Sequence, residues 1–145
     1  MAPSGAELSV LLTGKTGIAR LNQKHRKKSG PTDVLSFPLE EELAGSLARN
    51  ASVPYARHQS RLRQELRRRM KGTPLPLGDV AICVPIAREQ AKELGETLEE
   101  ALARLLAHGI AHLLGYDHER GKTWERAQWR FEEGLLRAAR LAPKK

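Results

Sequence analysis

Apolar and polar positions along this chain follow two different periods, and the changes of period mark its elements. Leu8 to Leu12 (LSVLL) is a short apolar run that reads as a strand, and Gly14 and Gly17 punctuate the residues after it. Ile18 and Leu21 lie three apart, which predicts a helix from Ile18 to about Arg26 ending in a basic patch. Lys27, Lys28, Ser29, Gly30 and Pro31 break it. Thr32 to Pro38 (TDVLSFP) carries Val34, Leu35 and Phe37 and predicts a buried strand that Pro38 stops. Leu77 to Val84 (LGDVAICV) predicts another apolar strand. Pro85 suits the first turn of a helix running to about Leu94, with Gly95 as its cap. Thr97, with Glu100 three residues on, has the signature of a capping box. It opens a helix from Leu98 to Leu114 whose Leu98, Leu102, Leu105 and Leu106 keep helical spacing. A last helix from Thr123 to about Leu141 presents Trp124, Trp129, Phe131, Leu135 and Leu136. No internal repeat is present.

Residues 39 to 76 break this rhythm. They begin acidic at Glu40, Glu41 and Glu42 and become strongly basic at Arg57, Arg61, Arg63, Arg67, Arg68, Arg69 and Lys71. Leu62, Leu66 and Met70 fall four apart and predict a short helix with a narrow apolar stripe, closed by Pro74 and Pro76. Three readings fit: a mobile insertion, a helix laid against the domain, or a solvated surface helix with no partner.

The chemistry concentrates in HGIAHLLGYDH, residues His108 to His118. Residues four apart on a helix share one face, so His108 and His112 can aim at a common point. Gly115 lets the chain leave the helix in a left-handed turn that returns His118 toward that point. Three imidazoles at bonding distance make a zinc site with one position open, and an open position on zinc is the arrangement of hydrolytic centres. Zinc peptidases of the HExxHxxGxxH kind share these histidines and the glycine but carry a glutamate base after the first histidine. Here that position is Gly109, which takes no proton, and the methionines Met1 and Met70 both precede the motif. Peptide cleavage is therefore disfavoured. Structural zinc sites favour four ligands and cysteine; none is near, although Asp117 could supply a fourth ligand. A second role for Asp117 or Glu119 is to accept the other N–H of a ligand ring.

Composition narrows the partners. The 145 residues suit one domain, and 40% hydrophobic content suits a folded one. The formal net charge of +8 points to a polyanion, with nucleic acid first. Aromatics make up 4% of the chain, which argues against a base-stacking platform. The single cysteine, Cys83, excludes an internal disulfide, suits a reducing cytoplasm and reads as a core residue. The first residues lack a basic stretch followed by an apolar one, so no leader is expected, and no segment approaches the roughly 20 apolar residues of a membrane span.

With TDVLSFP, then LGD at Leu77 to Asp79, then HGIAHLLGYDH, preceded by Leu21-Asn22 and Arg26, the chain resembles the YbeY family of zinc-dependent endoribonucleases, the rRNA maturation factors. These blocks stand in the family's order and cover most of the chain. The resemblance implies a single α+β domain over residues 1–145, with a small mixed sheet packed by helices and a metzincin-like metal site on one long helix and the loop after it. It implies one Zn2+ per chain on His108, His112 and His118, with Arg26 as the functional arginine. It implies cleavage of single-stranded RNA, maturation of the three-prime end of small-subunit rRNA and ribosome quality control in the cytoplasm. The expected partners are rRNA precursors and the ribosomal small subunit, without membrane or DNA.

The chain departs from the family pattern in two places. Members usually carry a strand and helix before the segment matching Leu8 to Leu12, so one sheet edge is expected to be missing or replaced. Residues 39 to 76 hold an expected basic insertion. Asp33 is read as a strand-start cap at the site wall, and Asp79 as a residue closing a turn. The competing function is a ribosome-assembly RNA-binding factor in which zinc is structural.

Overall fold

The computed structural model describes residues 5–39, 64, 67, 68 and 75–140. Strand β1 spans Ala6–Thr13, helix α1 Lys15–Arg26, β2 Val34–Pro38 and β3 Leu75–Cys83. Helix α2 follows at Val84–Leu94, α3 at Leu98–Leu113, a 3-10 turn at His118–Arg120 and α4 at Lys122–Ala138. Among the described residues, these three strands and four helices make a small α+β fold with the sheet order β1-β3-β2. β1 runs parallel to β3 and β2 antiparallel to it, so the sheet is mixed. The helix expected on Leu62, Leu66 and Met70 lies largely outside the described residues; Gln64, Arg67 and Arg68 are helical and exposed.

The element boundaries moved little. β3 begins two residues before the expected Leu77, and Val84 opens α2 rather than closing the strand. Helix α4 ends at Ala138. Thr97 and Glu100 form both bonds of the capping box, at 3.1 Å each. Asp79 does not close a turn. It sits within β3, exposed, paired with Phe37 on one side and Ser9 on the other.

Two cores lie on opposite faces of the sheet. Val80 and Ile82 of β3 join Leu105, Ala111, Leu113 and Phe131 on the α3 side. Ala81 and Cys83, the intervening residues, join Ile18 and Leu35 on the α1 side. Alternation along a strand makes this division automatic. Leu75 and Leu77 nevertheless face the same core as Val80 and Ile82, despite opposite parity. A register shift between Glu7 and Leu8, opposite Pro76 and Gly78, leaves Leu77 as the extra residue of a bulge and resets the phase.

Helix α3 is the central element. Its deepest residues are small: Ala101, Ala107, Gly109 and Ala111, with Leu105 and Leu113. Leu98, Leu102 and Leu106 pack only partly buried. Of the four leucines whose spacing predicted the helix, Leu105 alone is fully buried. Gly109 sets how closely that face approaches. A Cβ there would stand 2.6 Å from Cγ1 of Val80 and 3.3 Å from Oγ of Ser36. The Ser36 hydroxyl uses this closeness to donate to the Gly109 carbonyl at 2.9 Å. Gly109→Ala should lower stability by about 1–3 kcal/mol, the usual cost of overpacking a filled core. Urea denaturation measures it, and Val80→Ala in the same chain should recover part of the loss; an unchanged midpoint in the single variant would show that the packing gives way freely.

Among the described residues β1 pairs with β3 alone, so it is an edge strand. Val10, Leu11 and Leu12 are 45–54% exposed there.

Candidate metal centre

Helix α3 ends in a Schellman turn. The Gly115 N–H donates to the His112 carbonyl at 3.0 Å, and the Tyr116 N–H to the Ala111 carbonyl at 3.0 Å. Gly115 holds φ at 90°, a left-handed value that side chains oppose. The turn reverses the chain so that the next residues pass over the last turn of α3. Tyr116, 2% exposed, stacks on Phe131 of α4 with ring centroids 4.9 Å apart, which pins the loop to that helix. Asp117 then caps the 3-10 turn, its Oδ1 accepting the Glu119 N–H at 3.0 Å. His118 opens this turn.

These steps bring the three histidines together. Their rings lie 4.5–5.8 Å apart, centroid to centroid. One ligand atom from each falls within 4.8 Å of the others. Nε2 of His108 and Nε2 of His112 face each other at 3.0 Å. Metal–nitrogen bonds of about 2.0–2.1 Å at a tetrahedral angle separate two ligand atoms by roughly 3.3 Å, so this pair already has the needed spacing. The three histidines are positioned to bind a metal ion, and the donor chemistry fits one: imidazoles are borderline ligands suited to a divalent transition metal.

The ring of His108 is fixed from behind. Its Nδ1 lies 2.7 Å from Oε1 of Glu132 on α4, and Gln128 donates to the same carboxylate oxygen at 3.2 Å. A carboxylate accepts only, so it assigns the His108 proton to Nδ1 and leaves the Nε2 lone pair facing the site. Sequence reading placed this supporting role on Asp117 or Glu119; both side chains stand nearby, but Asp117 is engaged with its own turn and with Arg120. Glu132 was missed because it is 24 residues from His108 in the chain. The available signal was the helical spacing of Gln128 and Glu132, which puts them on one face of α4 beside buried Phe131. His112 has its pKa lowered below the usual 6.5, first by burial and then by the neighbouring His108 and His118. Lowering favours the neutral ring, which is the ligating form. Glu132→Gln should weaken metal affinity by about 10–100-fold, the typical effect of losing a ligand's carboxylate partner. Competition against a colorimetric chelator measures it, and unchanged affinity would show that Glu132 only packs.

The histidines form one wall of a cavity of about 480 Å³. Arg26 and Lys28, at and beyond the end of α1, line the same space, as do Asp33 and Ser36. So Arg26, 82 residues before His108, shares their cavity. Asp33 caps the start of β2 as expected, its Oδ1 accepting the Val34 N–H at 2.7 Å. Its Oδ2 accepts from Gln90 of α2 at 3.1 Å.

Comparison with known proteins gives the family. The family model described as Endoribonuclease YbeY matches residues 1–138. The chain belongs to the YbeY endoribonuclease family. It is 45% identical to the Endoribonuclease YbeY of Myxococcus xanthus over 135 residues, which is 92% of this chain but 36% of that longer protein. It is 42% identical to the Aquifex aeolicus YbeY, covering 92% of this chain and 70% of the relative. For the Geobacillus thermodenitrificans YbeY the identity is 39%, with 92% and 73% covered. Among solved structures, a Thermotoga maritima protein studied in solution aligns over 93% of this chain and 71% of its own, at 27% identity and a TM-score of 0.48. Among the described residues no helix is long and apolar enough to cross a membrane.

Proposed function

We propose that this YbeY-family chain is a zinc-dependent endoribonuclease that cuts single-stranded RNA, with His108, His112 and His118 as the metal ligands and Arg26 as the cation facing the scissile phosphate. The observation that carries this is the shared cavity, lined both by three convergent histidines and by Arg26. Bound zinc supplies Lewis acidity and lowers the pKa of a water molecule toward 7. The chain does the rest. Glu132 holds His108 in the tautomer whose Nε2 faces inward. The Schellman turn and the Tyr116–Phe131 stack hold His118 opposite. Arg26 offers paired N–H donors to the phosphoryl oxygens as negative charge builds on them. Lys28 adds a second positive charge in the same cavity.

Membership of the family supports rRNA precursors and the ribosomal small subunit as the natural partners, and the cytoplasm as the place of work. The whole chain is taken as one domain, with residues 39–76 as a basic insertion that adds RNA affinity. The test is purified, zinc-quantified protein incubated with single-stranded and duplex RNA of one sequence. Cutting of the single strand that stops on chelation and returns with zinc is expected. Binding without cutting at full zinc occupancy would instead favour an assembly factor with a structural metal.

A further inference from the structure

A second cavity adjoins the metal centre and is not used by the chemistry above. It has about 490 Å³ and is lined by His25, Arg26, Lys28, Ser36, Phe37 and Pro38. Arg26, Lys28 and Ser36 line the first cavity as well, so the two are lobes of one trough that meet at Arg26. We propose that the second lobe holds the base of the nucleotide next to the scissile phosphate, stacked on the ring of His25, which Phe37 braces edge to face. This rests on the ribonuclease reading and adds a binding residue to it.

The two rings come from different elements and meet edge to face. Their centroids lie 4.9 Å apart at 60°. Phe37 is on β2, and its ring packs against the core of Ile18, Leu35, Ala81 and Cys83, which fixes it. His25 is exposed in the last turn of α1. The end of α1 is also held. Buried Asn22 donates from its side-chain amide to the Gly30 carbonyl at 3.0 Å, and the Lys27 N–H returns to the Asn22 carbonyl. A preformed ring pair loses little freedom when a base settles on it.

Charge selects the occupant. The lobe is lined by two rings, His25 and Phe37, and two cations, Arg26 and Lys28, and has no carboxylate among its lining residues. A nucleotide matches this on both counts, since every base has a π-face and every link carries a phosphate. An extended peptide would match the rings but leave Arg26 and Lys28 without a fixed partner. Because Arg26 borders both lobes, an RNA strand with its phosphate at the metal centre would pass that guanidinium and place a neighbouring base over the His25 ring. Stacking tolerates any base, so little sequence preference is expected at this position. The low aromatic content argued against such a platform, but that count omits histidine, which forms half of this one.

The test uses the zinc-loaded full chain and a single-stranded RNA whose cut has been mapped. His25→Ala should raise KM about five- to a hundredfold, the range of losing one stacked base, and should move kcat far less. His25→Phe should restore KM, because a phenyl ring stacks without imidazole chemistry. An abasic nucleotide beside the cut, on one side only, should raise the parent's KM as much as His25→Ala does, and should add little to His25→Ala. Phe37→Leu, which keeps the core filled, should share the KM defect. A KM for His25→Ala equal to the parent's, or indifference of the parent to abasic sites on both sides, would overturn the base lobe while leaving the ribonuclease reading in place. If the parent cuts no RNA, both fall.

Discussion

His112→Ala should lose its metal and its RNA cleavage together while the fold persists. With three protein ligands, removing one leaves two, too few to hold the ion against water and buffer. The loss should therefore exceed the roughly 10–100-fold expected when only a supporting carboxylate is removed. His112 is the most telling of the three. It is on the rigid last turn of α3, its Nε2 faces that of His108, and its backbone carbonyl is already used by the Schellman turn, which alanine leaves intact. Metal per chain after dialysis is the measurement, with circular dichroism to check the fold. Full occupancy in His112→Ala would sink the three-histidine centre.

The same site sets a pH dependence. The folded pKa of His112 lies below 6.5, so the folded chain resists protonation that the unfolded chain accepts. In the metal-free protein this ring costs nothing above the ordinary value. Stability falls as pH drops below 6.5 toward the lowered folded value, because the unfolded state then binds more protons. Metal occupancy should fall in the same direction, since ligation requires neutral rings. Occupancy that rises on acidification from about pH 7 would contradict imidazole ligation.

Arg26→Ala should cost about a hundred- to a thousandfold in kcat with zinc content and thermal stability nearly unchanged. That is the usual effect of removing one donor aimed at developing transition-state charge. The separation from folding follows from position. Arg26 is exposed at the last turn of α1, where its loss removes only a favourable helix-end charge worth about 0.3–1 kcal/mol. Arg26→Lys should also be impaired, because an ammonium cannot reproduce the two parallel bonds of a guanidinium. Single-turnover cleavage at saturating RNA isolates the chemical step. A parent-like rate in Arg26→Ala would assign the cation elsewhere, and Lys28, lining the same cavity, would be next to replace.

The local parts of this molecule could be read along the chain. Thr97 and Glu100 announce the start of α3, Gly115 announces its end, and the intervals between His108, His112 and His118 put three rings on one point. Each of these depends on neighbours a few residues away, and helical geometry converts such spacing directly into position. Family motifs added Arg26, which no spacing could have linked to histidines so far along the chain. Tertiary packing decided the remainder. Glu132 supports His108 only because α4 folds back along α3. Gly109, legible as the loss of a peptidase base, is instead where Val80 and Ser36 press against the helix. Leu77 and Val80 face one core only because a bulge resets the strand. His25 and Phe37 form a ring pair only because α1 and β2 meet at one end of the sheet. Short-range order follows from backbone periodicity, which the sequence carries, whereas contacts between distant segments follow from how whole faces fill space.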